Sequence, residues 1–223
     1  MKIGIVIADE FEFEPFSAFA KTKNAAETLY HGRKSLSWTE NGKTVTAVQC
    51  GIGKVNAAAA AAFLIADGAS YLLNAGLSGA IHGLHRGQIV AGETFRECDF
   101  DLTPIGRALG EKPDEPSCFA ADAELLALAL SLPGVTGAHL GTGDLFLADK
   151  AKGAFFRKTF GIDAFDMETA AIASVCHFSG VPFMSLRQIS DDADDAATVD
   201  YQGMNEQKKA DLTALLAAVI EKM

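Results

Sequence analysis

The chain has 223 residues, of which 49% are hydrophobic, and this predicts a globular α/β protein with a sizeable core. Its formal net charge of −10 argues against a nucleic-acid partner, because phosphate backbones would be repelled. Its longest apolar run is too short to span a bilayer, which predicts no membrane partner. The four cysteines lack metal-site spacing and no signal-peptide pattern is present, so we expect a cytoplasmic protein with reduced thiols.

Strand and helix patterns begin to alternate at the start of the chain. A β-branched apolar run predicts a buried strand over residues 2–8. A hairpin is predicted over residues 36–50, because Asn41-Gly42 stands between two alternating segments. A glycine turn at 51–53 then opens an Ala-rich helix to about residue 67, and a buried strand over residues 71–75 is predicted to break at the glycines of residues 76–80.

The second half of the chain continues this alternation. We predict an irregular loop over 104–121, strands over 88–95, 139–142, 162–165 and 182–186, and helices over 122–132, 150–159, 167–178 and 204–222. Together these elements predict a single domain over residues 1–223. Its fold class would be α/β, a three-layer α/β/α sandwich around a mixed, mostly parallel central sheet.

Charged residues and glycines gather where four predicted strands end. Glu12 follows the first strand, residues 76–80 follow another, and Glu168 follows a third. Arg187 and Asp191 come after the apolar run 182–186, and Asp191 is the first acid beyond that strand. Because open α/β sheets bind ligands at the carboxyl ends of their strands, these residues predict a pocket with carboxylates, a glycine turn and an arginine.

Each of these signals also has an ordinary structural interpretation. Asp191 could cap a helix, and Glu12 could be an exposed acid in a first helical turn. Phe146 and Met167 would by default belong to the core. The glycines of residues 51–53 are too few for a dinucleotide fingerprint, and a tight turn before a helix explains them.

Five segments resemble, in the same order, motifs of the 5′-methylthioadenosine/S-adenosylhomocysteine nucleosidases of the nucleoside phosphorylase superfamily. They are MKIGI at 1–5 with Glu10 and Glu12, GIGKV at 51–55, TGDLF at 142–146, DMETAA at 166–171 and RQISD at 187–191. The similarity extends over nearly the whole chain. It implies a cytoplasmic enzyme that hydrolyses the N-glycosidic bond of such a nucleoside and releases adenine and the free thioribose. No organic cofactor and no metal are implied.

The resemblance also implies roles for individual residues. Asp191 would act as general acid at purine N7, Glu12 would activate the attacking water, and Arg187 would help to position that water. Glu168 would accept hydrogen bonds from the ribose hydroxyls. Within the substrate-binding set, Phe146 would stack on adenine, the Leu147 backbone would bind its polar edge and Met167 would pack against the sugar. The whole implied set comprises Ile52, Leu77, Ser78, Gly79, Leu102, Ile105, Phe146, Leu147, Asp166, Met167, Glu168 and Ser190.

This sequence departs from the family's pattern at positions that bear on the substrate. Leu77 stands where the family has a serine near the sugar, and Asp166 replaces a glutamate. Phe11 and Phe13 are additional phenylalanines that could reshape the pocket for the 5′ substituent.

Three alternatives remain open at the level of sequence. A phosphate-dependent nucleoside phosphorylase of the same fold would need cations for its phosphate, but the first loop is acidic and no arginine stands just ahead of Gly76, where the sequence is Leu72-Leu73-Asn74. A hydrolase could instead act on another purine nucleoside, such as futalosine. A nucleoside-binding protein without turnover could share the same fold.

The family resemblance also implies a homodimer. The loop that would close the partner's pocket corresponds to residues 101–105, in which Leu102 and Ile105 are apolar. The alternative is a surface loop with small core contacts of its own.

Overall fold

The computed structural model describes residues 1–193, 197 and 206–223, of which 206–210 are described by backbone alone. The helices are α1 (Glu10–Thr22), α2 (Lys54–Ala66), α3 (Ala123–Leu130), α4 (Lys150–Phe160), α5 (Thr169–Ser179) and α6 (Glu206–Lys222), with a 3-10 turn at Thr103–Ile105. The strands are β1 (Lys2–Ile7), β2 (Ala26–Tyr30), β3 (Arg33–Glu40), β4 (Lys43–Gln49), β5 (Tyr71–Ala80), β6 (Ile89–Glu97), β7 (Phe119–Ala120), β8 (Val135–Thr142), β9 (Ala164–Asp166) and β10 (Phe183–Asp191). The C-terminal helix was predicted from residue 204, and residues 204 and 205 lie outside the described residues.

One sheet joins all the described strands. On one side of β5, the strands β1, β4, β3 and β2 follow in that order. Strand β10 pairs with β5 along its other edge, whereas β9 pairs with the end of β5 on the same edge as β1. Strands β6 and β8 connect β10 with β9, so that five strands pair in a closed ring. The sheet is mixed, as predicted, but its parallel share is smaller than predicted, because β6, β7 and β9 add antiparallel pairings to the predicted hairpin.

The two faces of the sheet bury separate apolar clusters. Alternating side chains of β1 point to opposite faces, as the two-residue period of a strand requires. Ile5 belongs to a cluster with residues of α1, α3 and α6, whereas Val6 belongs to a cluster with residues of α2 and α5. Helices therefore cover both faces around β1.

The prediction that residues 76–80 break strand β5 is wrong. The strand continues to Ala80, and β10 runs beside it in parallel, with Arg187 opposite Gly76 and Asp191 opposite Gly79. A Cβ at Gly76 would lie 2.5 Å from Arg187 Nη1, so glycine is needed for the close approach of a side chain. Strand β10 likewise continues to Asp191, which is its last residue and not the first acid beyond it.

Helix α1 was not assigned from the sequence, where acids alternate with phenylalanines. Asp9 caps it in a capping box: the Glu12 N–H donates to Asp9 Oδ1 at 2.9 Å, and the Asp9 N–H donates to Glu12 Oε2 at 3.5 Å. Phe13 and Phe16 are buried, and with them α1 packs on the sheet. Because α1 follows β1 directly, its first turn lies at the carboxyl end of the sheet.

Candidate active site

A cavity of about 180 Å³ lies at the carboxyl ends of β1, β5 and β10. The structure brings most of the predicted site residues together around it: Glu12, Ile52, Leu77, Ser78, Gly79, Phe146, Leu147, Asp166, Met167, Glu168, Arg187, Ser190 and Asp191. It is also lined by residues that the sequence did not single out, namely Ala8, Asp9, Leu145 and Phe165.

The carboxylate of Glu12 is fixed between helix α1 and strand β5. Its Oε1 accepts a hydrogen bond from the Leu77 N–H at 2.7 Å. Burial is the main cause that raises the pKa of Glu12 from 4.5 to about 8, and the charges of Glu168 and Asp9 add to it, although Arg187 opposes the shift. Glu12 is therefore an acid of the first helical turn that faces the cavity.

Arg187 is buried and bonded in several directions. Its Nε donates to Ser78 Oγ at 2.9 Å, its Nη1 donates to Asn74 Oδ1 at 3.1 Å, and its Nη2 donates to the Leu77 carbonyl. Its Nη2 also lies 3.5 Å from Glu168 Oε2. These contacts hold the guanidinium in one place beside Glu168.

Asn74 is a buried support of this site that the sequence analysis missed. It accepts from Arg187 and, at 2.7 Å, from the Ser185 hydroxyl, and its Nδ2 donates to the Val6 carbonyl at 2.8 Å. The available signal was one amide side chain within the apolar strand β5. Buried polar side chains need partners, and such a residue predicts a hydrogen-bonded neighbour.

Glu168 is linked to the glycine turn before α2. It is 3% exposed, and its Oε1 accepts from the Gly53 N–H at 3.1 Å. Burial raises the pKa of Glu168, and Arg187 opposes this shift. Gly53 has a φ of +98°, which favours glycine, so the turn presents a backbone donor to an acid of the cavity.

Asp191 is the last residue of β10 and lies opposite Gly79 of β5. Its Oδ2 accepts from the Ser190 hydroxyl at 2.6 Å, and its Oδ1 accepts from the Ala193 N–H at 2.9 Å. A Cβ at Gly79 would lie 2.7 Å from Asp191 Oδ1. The bond to Ala193 resembles a local turn, and the same carboxylate also lines the cavity.

Asp166 lines the cavity, but its carboxylate is used within the protein. Its Oδ1 accepts from the N–H groups of Glu168 and Thr169, both at 2.8 Å, and from the Thr142 hydroxyl at 2.9 Å. Its Oδ2 accepts from the Thr169 hydroxyl at 2.7 Å. Asp166 therefore fixes the start of α5 and the position of Glu168.

The mouth of the cavity is apolar. Ile52 is 52% exposed and Phe146 is 48% exposed, whereas Leu147 is buried below them. Leu102 and Ile105 are not among the residues that line the cavity, and Ile105 is 74% exposed. The structure of one chain thus leaves these two residues apart from the rest of the predicted set.

The charges around the cavity are unequal. Among the described residues, Arg187 is the only cation that lines it, and the acids are Asp9, Glu12, Asp166, Glu168 and Asp191. Within the same part of the chain, no group of three or more His, Cys, Asp or Glu side chains could hold a metal ion. Among the helices of that part, none combines the length and the hydropathy needed to cross a bilayer.

Comparisons with known proteins agree with this fold. Residues 2–221 match the sequence profile of the Phosphorylase superfamily. The chain is 33% identical over 210 residues, 90% of each protein, to the 5′-methylthioadenosine/S-adenosylhomocysteine nucleosidase of Shewanella frigidimarina. A solved structure of the nucleosidase of that name from Neisseria meningitidis, in complex with methylthio-immucillin-A, has a TM-score of 0.90 and 29% sequence identity to this chain. The match covers 100% of this chain and 99% of the other. A futalosine hydrolase mutant of Helicobacter pylori has a TM-score of 0.95 at 24% identity, with full coverage of both chains, and this likeness concerns the fold alone.

Fold, cavity and profile together define a member of the phosphorylase superfamily, with a mixed sheet and a site at the carboxyl ends of its strands. Within that superfamily, the chain belongs to the 5′-methylthioadenosine/S-adenosylhomocysteine nucleosidase family.

Proposed function

We propose that this protein hydrolyses the N-glycosidic bond of 5′-methylthioadenosine or S-adenosylhomocysteine and releases adenine and the free thioribose. The observation that carries this proposal is the charge of the cavity, in which five acids and one arginine are the charged residues among its described lining. Cleavage of an N-glycosidic bond develops positive charge on the sugar, and fixed carboxylates stabilise such charge.

The two catalytic acids would have opposite roles. Asp191 donates a proton or a hydrogen bond to N7 of the purine, which makes the base a better leaving group. Glu12 accepts a proton from the attacking water, and its pKa of about 8 makes its deprotonated form a stronger base than an ordinary carboxylate. Two carboxyl groups in different surroundings are a common basis for such a division.

The remaining residues would bind and orient the nucleoside. Glu168, held by Gly53 and Arg187, accepts hydrogen bonds from the ribose hydroxyls. Arg187 holds Glu12 and Glu168 near the position of the water. Phe146 stacks on adenine and the Leu147 backbone reads its polar edge, while Met167 packs against the sugar.

The same geometry argues against a phosphorylase. A phosphate nucleophile needs cations, and Arg187 already bonds Leu77, Ser78 and Asn74 and pairs with Glu168. Phosphate next to Glu12 and Glu168 would also be repelled by any deprotonated carboxylate. Water is therefore the better nucleophile for this site.

The apolar mouth supports an apolar 5′ substituent. Ile52, Phe146 and Met167 offer carbon surface and no cation, so a 5′-phosphate would lose its hydration without gaining a partner. Leu77, buried beside Glu12, adds to this apolar surface where a serine was expected from the resemblance.

The same proposal includes the domain organisation and the oligomeric state of the protein. Residues 1–223 would fold as one domain of three layers, with α1, α3 and α6 on one face of the sheet and α2 and α5 on the other. It would work as a cytoplasmic homodimer, in which Leu102 and Ile105 of each copy close the 5′ end of the partner's cavity. The exposure of Ile105 supports such a contact.

Incubation of the protein with methylthioadenosine, with and without phosphate, tests the reaction. We expect free adenine and methylthioribose at the same rate in both conditions. A sugar 1-phosphate formed only with phosphate would show a phosphorylase. Hypoxanthine released from futalosine, without adenine from methylthioadenosine, would keep hydrolysis but change the substrate. Calorimetric binding of methylthioadenosine with no cleavage would favour a binding protein.

A further inference from the structure

A network of charged residues lies next to the cavity without lining it. Lys54 Nζ donates to Glu97 Oε1 at 2.5 Å and to Asp99 Oδ1 at 2.7 Å, and Lys112 Nζ lies 2.5 Å from Glu97 Oε2. These four side chains are between 18% and 22% exposed. With Asp144 they form what we call the Lys54 network.

Asp99 joins two other members of this network to each other. While its Oδ1 binds Lys54 Nζ, its Oδ2 accepts from the Asp144 N–H at 2.8 Å. Asp144 Oδ1 in turn accepts from the Lys54 N–H at 2.8 Å. The three residues therefore form a closed cycle of hydrogen bonds across three separate parts of the chain.

This cycle touches the site on two sides. Asp144 is followed directly by Leu145, Phe146 and Leu147, which line the cavity. Lys54 follows Gly53, whose N–H binds Glu168.

The start of α2 has no capping side chain of its own, because Gly53 is its N-cap residue. The unpaired N–H groups at the start of a helix need acceptors. Asp144 supplies one of them for Lys54, from 90 residues along the chain.

We propose that Asp99 is a positioning residue of the nucleosidase site, which acts through Asp144 and Lys54 to place the base-binding segment 145–147 and the Gly53 donor of Glu168. This inference rests on the proposed function. Asp99 does not itself line the cavity, so its effect must pass through these neighbours.

The chain offers a matched control in Asp163. Its Oδ1 accepts from Arg157 Nη1 at 2.6 Å, its Oδ2 accepts from the His139 N–H at 2.9 Å, and its side chain is 19% exposed. It has the same kinds of partner as Asp99 and similar burial. Neither Arg157 nor His139 lines the cavity.

Steady-state kinetics with methylthioadenosine would compare Asp99→Ala with Asp163→Ala. For Asp99→Ala we expect KM to rise about tenfold, equivalent to about 1.4 kcal/mol, with kcat changed by less than about threefold, because a binding contact common to substrate and transition state is loosened. Asp99→Asn, which keeps one acceptor for the Asp144 N–H, should recover part of this loss. Asp163→Ala should lower the melting temperature without raising KM.

The variant Asp99→Ala/Asp144→Ala supplies a second readout. Because both residues act in one cycle, their effects should not be independent. The fold rise in KM of the double variant should be well below the product of the fold rises of the two single variants. A KM of Asp99→Ala within about twofold of wild type, or an equal KM rise in Asp163→Ala, would overturn the proposal.

Hydrogen exchange separates this inference from the proposed function. In Asp99→Ala, the amides of residues 144–147 should exchange faster than in wild type, whereas Asp163→Ala should leave them unchanged. If wild type cleaves no nucleoside, the proposed function fails, and the exchange result alone still decides whether Asp99 holds this segment. If Asp99→Ala does not fold, Asp99→Asn is measured in its place, and unchanged exchange and KM would then overturn the proposal.

Discussion

Asp191 and Glu12 are acids of one cavity, but their hydrogen-bond partners differ. Glu12 accepts from the Leu77 N–H, whereas Asp191 accepts from the Ser190 hydroxyl and the Ala193 N–H. The proposed mechanism needs one acid that donates a proton and one base that accepts it. Substitutions at these two residues should therefore fail for different reasons.

Replacing Asp191 by Asn should lower kcat by about 10²–10⁴ while nucleoside binding is largely kept, because Asn cannot deliver a proton. Asp192→Asn is the matched control, since this neighbouring acid is exposed, and it should retain the wild-type rate. Single-turnover kinetics and calorimetry would measure both effects. If Asp191 were only a cap, Asn would serve almost as well, so a variant with more than about a tenth of the wild-type rate would contradict its assignment as general acid.

The pKa of Glu12 predicts the pH dependence of turnover. Because Glu12 accepts a proton only when it is deprotonated, kcat/KM of the wild type should rise with pH up to a pH of about 8. Glu12→Gln should lose turnover, and the residual rate should lack this rise. An equal rise in the variant would assign the titration to another group.

The same variant should become more stable than wild type as the pH rises. The raised pKa means that folded Glu12 keeps a proton between pH 4.5 and about 8 that the unfolded chain has lost, so wild-type stability falls through this range and is constant above it. Gln resembles the protonated acid and can keep the bond to the Leu77 N–H. Chemical denaturation should find Glu12→Gln close to wild type at pH 4 but more stable by roughly 1–4 kcal/mol at pH 9. Equal stabilities at pH 9 would show that the folded protein tolerates the charge of Glu12.

At the scale of elements, the site depends on the contact between β5 and β10. Gly76 and Gly79 are positions of β5 where side chains of other elements approach the backbone. A Cβ at Gly76 would lie 2.5 Å from Arg187 Nη1 and 2.8 Å from Glu12 Oε1. The absence of a side chain at Gly76 thus leaves room for Arg187 and Glu12.

Gly76→Ala should lower kcat/KM by about 10²-fold, because Arg187 and Glu12 must both move, and it should cost about 1–3 kcal/mol of stability through overpacking. Gly153→Ala in helix α4 is the control, since the nearest atom, Leu147 Cδ2, lies at an ordinary 4.0 Å. That control should gain about 0.5–1 kcal/mol of stability and keep its activity. Normal kinetics in Gly76→Ala would mean that the guanidinium can shift without loss.

The same two strands mark the limit of prediction from sequence. Apolar runs and the Asn41-Gly42 turn located most strands, because burial and turn chemistry are local properties. The glycines of residues 76–80 were interpreted as a break, since the approach of Arg187 comes from a strand more than 100 residues away. Helix α1 was missed because acids and phenylalanines alternate over residues 10–14, and a period of two does not indicate a helix.

At the scale of the whole molecule, the sheet brings the site together from strands inside and outside its closed ring. Glu12, Gly53, Glu168 and Asp191 stand on four separate elements, and the family's motifs named these residues without their contacts. The bond from Gly53 to Glu168 and the internal use of the Asp166 carboxylate follow only from the packing of α2, α5 and the sheet. The motifs were therefore enough to predict where the site lies, whereas its hydrogen bonds could be identified only in the folded structure.

The exposed apolar mouth of the cavity leads to the last prediction, which concerns assembly. Ile105 is 74% exposed and lies outside the cavity of its own chain, so its proposed place is at the cavity of a partner. Light scattering at micromolar concentration should therefore give twice the 23.5 kDa mass of one chain. Ile105→Asp should raise KM for methylthioadenosine more than for adenosine, because the loop is expected to contact the 5′ substituent. Phe178→Asp, at a residue that is 60% exposed and does not line the cavity, should leave the ratio of the two KM values unchanged. A monomer mass would contradict the proposed contact between this loop and a partner's cavity. An equal rise in both KM values in Ile105→Asp would do the same, because a side chain that stays in solvent on its own chain cannot distinguish the two substrates.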